Sequence, residues 1–199
     1  MRAPDLRERL RAAAGAASAP SSDFDLNPGY RPPEGRTLRA AGVLIGVTAG
    51  EVPQVLLTKR ASGLKHHPGL IAFPGGKVEP GEGGPEGAAL REAEEEIGLP
   101  RGMVEVLGTL PTHETVTGYL VTPVIGWIRD PVVLVPEAGE VAEVFSVPLA
   151  HVTDPACFQI QSRLWRGTRR RYFAVPWGPY YIWGATARIL RVLADRMQD

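Results

Sequence analysis

Neither sign of charge is in excess: 22 Lys and Arg balance 22 Asp and Glu across 199 residues. A chain with no net field offers no general polyanion surface, so nucleic acid is not an expected partner. Cysteine is almost absent; the single Cys157 excludes a disulfide framework and fits a reducing compartment. Long hydrophobic runs are missing as well, and no stretch approaches the roughly 18 apolar residues of a membrane span. The opening residues, Met1 to Glu8, lack the apolar core of a secretory signal, and Asp5 and Glu8 argue against a mitochondrial presequence. No internal repeat is visible. What remains is the expectation of a cytoplasmic protein with one substantial core, without membrane or nucleic-acid partners, as a monomer or homodimer.

Against this even background one stretch stands out. Gly75-Gly76 opens a turn in which the backbone can approach a ligand closely. Pro85 suits the first turn of a helix and Gly98 its C-terminal end. Between them lies a segment rich in Ala, Leu, Arg and Glu. Seven of the 22 acidic residues fall between Glu79 and Glu96. Glu92, Glu95 and Glu96 are spaced i, i+3, i+4 and so project from one helical face, with Leu90, Ala93 and Ile97 on the apolar side. Like charges at this spacing repel, and a hard divalent cation between them reverses that sign. A solvated acidic face is the plainer reading of three glutamates alone. Glu94 points away from the other three.

The stretch resembles the Nudix box, in which a Gly and an early acid precede Arg-Glu-apolar-x-Glu-Glu-x-Gly-apolar. Here these are Gly76, Glu82 and Arg91-Glu92-Ala93-Glu94-Glu95-Glu96-Ile97-Gly98-Leu99. The usual pattern places seven residues between the early acid and the Arg; this chain has eight, Gly83 to Leu90. Upstream, Leu56-Leu57-Thr58-x-Arg60-Ala61-x-x-x-Lys65-x-x-x-Gly69-x-x-x-Phe73-Pro74-Gly75-Gly76 looks like the signature of the coenzyme A pyrophosphatase branch. The longer spacing is similar to that branch, which usually has Arg where Lys65 stands. Lys keeps the charge but loses the bidentate fork. Thr115 to Tyr119, Val121 to Val124, Glu140 to Leu149 and Ile182 to Ala187 continue the likeness, which covers residues 38 to 190.

The resemblance implies an α/β/α sandwich around a mixed sheet, with residues 38–199 as the hydrolase domain and 1–37 as an N-terminal helix and flexible extension outside it. Strands are expected at Arg39–Thr48 and Pro53–Arg60, both largely apolar as in a sheet covered on both faces, and at Leu70–Phe73, Met103–Leu110, Tyr119–Ile128 and Glu140–Val147, with a late hairpin over Phe158–Arg163 and Arg170–Val175. Pro123 marks an edge or bulge in the fifth of these. Asp5–Ala14 reads as a short helix, Gly15–Ser22 as a flexible connector, and Ala185–Met197 as an amphipathic helix.

The same resemblance implies a Mg²⁺- or Mn²⁺-dependent hydrolase that cleaves the diphosphate of coenzyme A to adenosine 3′,5′-bisphosphate and 4′-phosphopantetheine. Glu92, Glu95 and Glu96 would hold the metal, with Gly76 offering a backbone carbonyl, and Arg91 would orient the carboxylates. Arg60, Lys65 and His66 would contact phosphates; as spacing alone they are an ordinary basic loop. Glu82 either reaches the metal through water or pairs with Arg91, the second being favoured. Glu140 is either a surface carboxylate on an edge strand or a distal general base. Two rivals stand: a Nudix hydrolase for ADP-ribose or a dinucleotide, and a nucleotide-sensing domain without catalysis. The second conflicts with three intact glutamates.

Overall fold

A computed structural model describes residues 3–16, 19–30, 32, 35–64, 68–129, 132–165 and 167–198. The centre of the fold is a parallel pair, β2 (Arg39–Thr48) and β8 (Tyr119–Ile128), in register from Arg39 opposite Tyr119 to Thr48 opposite Ile128. Around it a mixed sheet runs β1 (Ser21–Ser22), β7 (His113–Glu114), β8, β2, β3 (Gln54–Arg60), β4 (Ile71–Ala72). Three further strands join from the side: β5 (Gly75–Lys77) on β2, β6 (Val104–Thr109) on β8, and β9 (Val141–Pro148) on β3. The expected sandwich architecture is present.

Neighbouring residues of the central strands feed two separate cores, because successive side chains point to opposite faces. Leu44, Leu56 and Val124 face helix α2 (Gly84–Ile97) and pack with its Ala89, Ala93 and Ile97. Ile45, Leu57 and Ile125 face the other way, into a core shared with Leu190 and Leu193 of helix α4 (Ala185–Arg196). Helix α3 (Leu149–Val152) is a single turn closing that second core. No helix among the described residues is long and apolar enough to cross a membrane.

Pro123 lies in a central strand, not at an edge. On that side of β8, β7 pairs with Leu120 and Val121 and β6 begins pairing at Val124. Pro123 occupies the junction between the two short strands, where its carbonyl accepts from Leu110 N–H at 2.9 Å and no N–H is demanded of it.

The N-terminal segment was expected outside the domain. Helix α1 (Ala3–Gly15) instead buries Leu6, Leu10 and Ala13 in the same core as α4. Arg7 and Arg11 pair with Glu105 of β6 at 2.8 and 3.0 Å, and Arg9 donates to Met197 O at 2.7 Å. The connector that follows ends in β1, where Ser21 N–H bonds Thr112 O at 2.9 Å. Leu10 is fully buried, so Leu10→Ala is expected to destabilise the whole domain by about 3 kcal/mol. Urea unfolding checks this: an unchanged midpoint would show that α1 lies outside the cooperative unit.

Candidate active site

Helix α2 forms where local signals agree. Pro85 occupies its first turn, and Gly98 closes it in the left-handed region at φ 66°, its N–H returning to Glu94 O at 3.0 Å. The helix lies close on the sheet at its start, where Gly42 of β2 leaves room for the Pro85 carbonyl. This seats the acidic turns of α2 against β5.

The three glutamates do not share one solvated face. Glu96 is 5% exposed and its Oε2 accepts from Gly75 N–H at 3.2 Å. The Glu92 side chain keeps 18% of its exposure and Glu95 keeps 59%. Burial pushes the Glu96 carboxyl up to about 7, the Gly75 N–H and Arg60 pulling the other way. Burial also raises Glu92, opposed by its hydrogen bond to Arg91. Two carboxyls drawn out of water and raised by desolvation form a site short of positive charge, which is the electrostatic setting for a divalent cation.

Arg91 is the hub. Its Nε donates to Glu82 Oε2 at 2.7 Å, Nη1 to Glu92 Oε1 at 2.9 Å and to Glu95 Oε2 at 2.8 Å, and Nη2 to Lys77 O at 3.0 Å. Glu82 also accepts from Glu79 N–H, and the bond from Arg91 holds its carboxyl below the usual range. Glu82 is thus paired with Arg91 and fastens the loop after β5 to α2. Glu94, on the outer side, pairs with Arg101 at 2.9 Å.

Gly76 sits directly over Glu92: a Cβ there would lie 2.0 Å from Glu92 Oε1. Arg60 ends β3, and Ala61 N–H bonds Glu140 O at 2.8 Å, which places Arg60 and Glu140 side by side. Glu140 is solvent-exposed at the start of edge strand β9, yet its charge acts on both Glu92 and Glu96. Lys65 and His66 lie outside the described residues. Glu96 and Glu92 therefore lie against Gly75 and Gly76 at the start of β5, with the charges of Arg60 and Glu140 acting on Glu96, while Arg91 ties Glu82, Glu92 and Glu95 to the Lys77 carbonyl at the end of β5. Among the described residues no three acidic, His or Cys side chains are already gathered as a cation cage; Glu92 and Glu95 are turned to Arg91.

Several further polar side chains hold the fold together. His113 is fully buried between Ser21 Oγ at 2.9 Å and Asp23 Oδ1 at 3.1 Å, tying β1 to β7. His151 contacts Pro176 O at 2.9 Å. Tyr180 stacks on Phe145 at 3.6 Å and donates to Glu143. Sequence reasoning missed two partners, the Gly75 N–H and the Lys77 carbonyl, because backbone groups leave no trace in residue identity.

A family model described as NUDIX domain matches residues 36–162. Two bacterial proteins, each described as "Uncharacterized Nudix hydrolase NudL", resemble the chain over 156 residues, 78% of it and 81% of theirs. The one from Enterobacter sp. (strain 638) is 42% identical and the one from Escherichia coli (strain K12) 41%. Among solved structures, the M. smegmatis Nudix hydrolase RenU aligns over 59% of this chain and 73% of its own, with 30% identity and a TM-score of 0.46.

Proposed function

Since the chain belongs to the Nudix hydrolase family, we propose that its site hydrolyses a nucleoside diphosphate linkage and that its substrate is coenzyme A. The observation that carries the hydrolase reading is buried Glu96 with half-buried Glu92 on α2 beneath Gly75-Gly76, with the charges of Arg60 and Glu140 acting on Glu96. The coenzyme A reading rests on the signature from Leu56 to Gly76.

Glu92, Glu95 and Glu96 would hold Mg²⁺ or Mn²⁺. When bound, the cation neutralises diphosphate charge and acidifies a coordinated water. The protein's own groups do the rest. Arg91, fixed by Glu82 and the Lys77 carbonyl, sets the positions of Glu92 and Glu95. Glu95, the most exposed of the three, is free to turn from Arg91 toward a ligand. Glu140 would take a proton from water entering the site. Arg60, with Lys65 and His66 of the following loop, meets the phosphates.

Coenzyme A carries a 3′-phosphate that dephospho-coenzyme A lacks. A charge-assisted hydrogen bond is worth about 1.5–3 kcal/mol, so the protein should prefer coenzyme A by roughly 10- to 100-fold in kcat/KM. Lys65→Ala should remove much of that preference and spare dephospho-coenzyme A. Steady-state kinetics on both substrates and on ADP-ribose, with Mg²⁺ and with Mn²⁺, test it. Equal slowing of both substrates would assign the loop to the diphosphate or the fold. Faster turnover of ADP-ribose than of either would remove coenzyme A and leave the hydrolase.

A further inference from the structure

The hairpin of β10 (Gln159–Trp165) and β11 (Thr168–Ala174) stands apart from the main sheet as its own two-stranded sheet. A lone two-stranded hairpin is at best marginally stable in water, and all seven residues of β10 are exposed. Its two outer edges are treated differently. On β11, the Asn27 side chain accepts from Arg171 N–H at 2.8 Å and donates to Arg171 O at 2.9 Å, taking the place of a neighbouring strand. Arg170 lies over the Tyr30 ring at 4.1 Å, covering the same side. On β10, no backbone partner occupies the outer edge among the described residues. Neither proline nor a bulge, two of the usual devices that keep an edge single, interrupts it, and its one charged residue, Arg163, is drawn over the Trp165 and Trp183 rings.

The Asn27 contact also fixes which backbone groups face outward. Arg171 directs both its N–H and C=O away from β10, so its opposite residue, Ser162, directs both of its own away from β11. By alternation, Ile160 and Leu164 do the same. Ser162 is the midpoint of β10. A two-fold axis through Ser162 therefore aligns the outward groups of one strand with those of an identical antiparallel strand. It pairs Ile160, 46% exposed, with Leu164 of the second copy, 74% exposed. Gln161 falls opposite Arg163, so no arginine meets an arginine. Arg163 is itself held over the rings of Trp165 and Trp183, at 5.0 and 4.6 Å. Axes through the other residues of β10 pair fewer of its seven positions, and the one through Arg163 sets arginine on arginine.

We propose that the outer edge of β10 is a homodimer interface, on which a second copy of this chain adds its own β10 antiparallel about Ser162 to form a continuous four-stranded sheet. The pairing is isologous and closes after two copies, so it does not propagate into fibres. About six backbone hydrogen bonds would join the strands.

Light scattering coupled to size exclusion, over a concentration series, should find twice the 21.4 kDa protomer mass. Ser162→Pro removes the central outward N–H and leaves the β10–β11 ladder untouched, so it should give a monomer with an unchanged circular dichroism spectrum. A second test uses a Cys157→Ser background. Ser162→Cys should cross-link into a covalent dimer under mild oxidation, because residues opposite each other about the axis lie within disulfide reach. Gln159→Cys, opposite Trp165 of the second copy, should not. A monomer at every concentration overturns the proposal, as does a Ser162→Pro dimer as strong as the unmodified one, or equal cross-linking at both positions. Should Ser162→Pro fail to fold, the cross-linking pattern decides.

Discussion

Glu96→Gln is expected to lower turnover by on the order of 10² or more while making the metal-free protein more stable at alkaline pH. The activity loss follows from removing a ligand charge, which costs about 3 kcal/mol or more of transition-state stabilisation. The stability gain follows from burial. Glu96 has a pKa of about 7 in the folded protein against 4.5 for an unhindered carboxyl. Between those values the folded state holds more protons than the unfolded state, so stability falls as pH rises through that window. The penalty is absent well below the lower value and complete above the upper one, on the order of 3 kcal/mol. Glutamine retains an oxygen for the Gly75 N–H and carries no charge to desolvate. In EDTA at pH 8 its melting temperature should exceed that of the unmodified protein, and the gap should shrink toward pH 5 and close below about pH 4. Glu94→Gln, on the exposed side beside Arg101, should change neither quantity. Near-normal turnover of Glu96→Gln would remove this carboxylate from the cation site; equal melting temperatures at pH 8 would show that it is not desolvated.

This opposition between activity and stability is what a functional site built from like charges requires. It was only half legible in the sequence. The spacing of Glu92, Glu95 and Glu96 placed them on one turn-and-a-bit of helix, and Pro85 and Gly98 bounded that helix, because helix signals are local. The gradient from exposed Glu95 to buried Glu96 was not legible. It depends on the angle at which α2 meets β5, and β5 is a three-residue strand of Gly75, Gly76 and Lys77 with no hydrophobic alternation to announce it. The same limit hid the docking of α1. Leu6 and Leu10 showed a helical spacing, but nothing local says whether such a short stripe meets a core or solvent. The long-range partners that settle it, Glu105 and Met197, lie about a hundred and nearly two hundred residues away. By contrast, β2, β8 and α4 carry enough periodic apolar residues to be read within a residue or so of their observed limits.

Gly42→Ala should unfold or displace the active-site helix, and Gly76→Ala should disable the site while leaving the fold intact. Both glycines lie in strands, opposite one another in the β2–β5 ladder, and in the sequence each looks only like a weak strand position. What differs is what a methyl group would meet. At Gly42 the new Cβ would stand 1.9 Å from the Pro85 carbonyl oxygen and 2.7 Å from its carbon. Those are backbone atoms in the first turn of α2, so relief requires the helix to move as a body. Overpacking of this kind costs roughly 3 kcal/mol or more, and it shifts every glutamate that α2 carries. At Gly76 the new Cβ would meet the Glu92 carboxylate, 2.0 Å from Oε1 and 2.4 Å from Cδ. That group terminates a flexible side chain and can rotate away, so the fold should lose under about 1 kcal/mol while Glu92 leaves its position. Melting temperature and kcat, measured together, separate the two. Gly42→Ala should lose both, and Gly76→Ala should keep its melting temperature within a few degrees while turnover falls on the order of 10²-fold. A Gly42→Ala protein with normal stability and turnover would show that α2 does not pack on β2 at this distance. A fully active Gly76→Ala protein would show that Glu92 works from somewhere other than beneath that glycine.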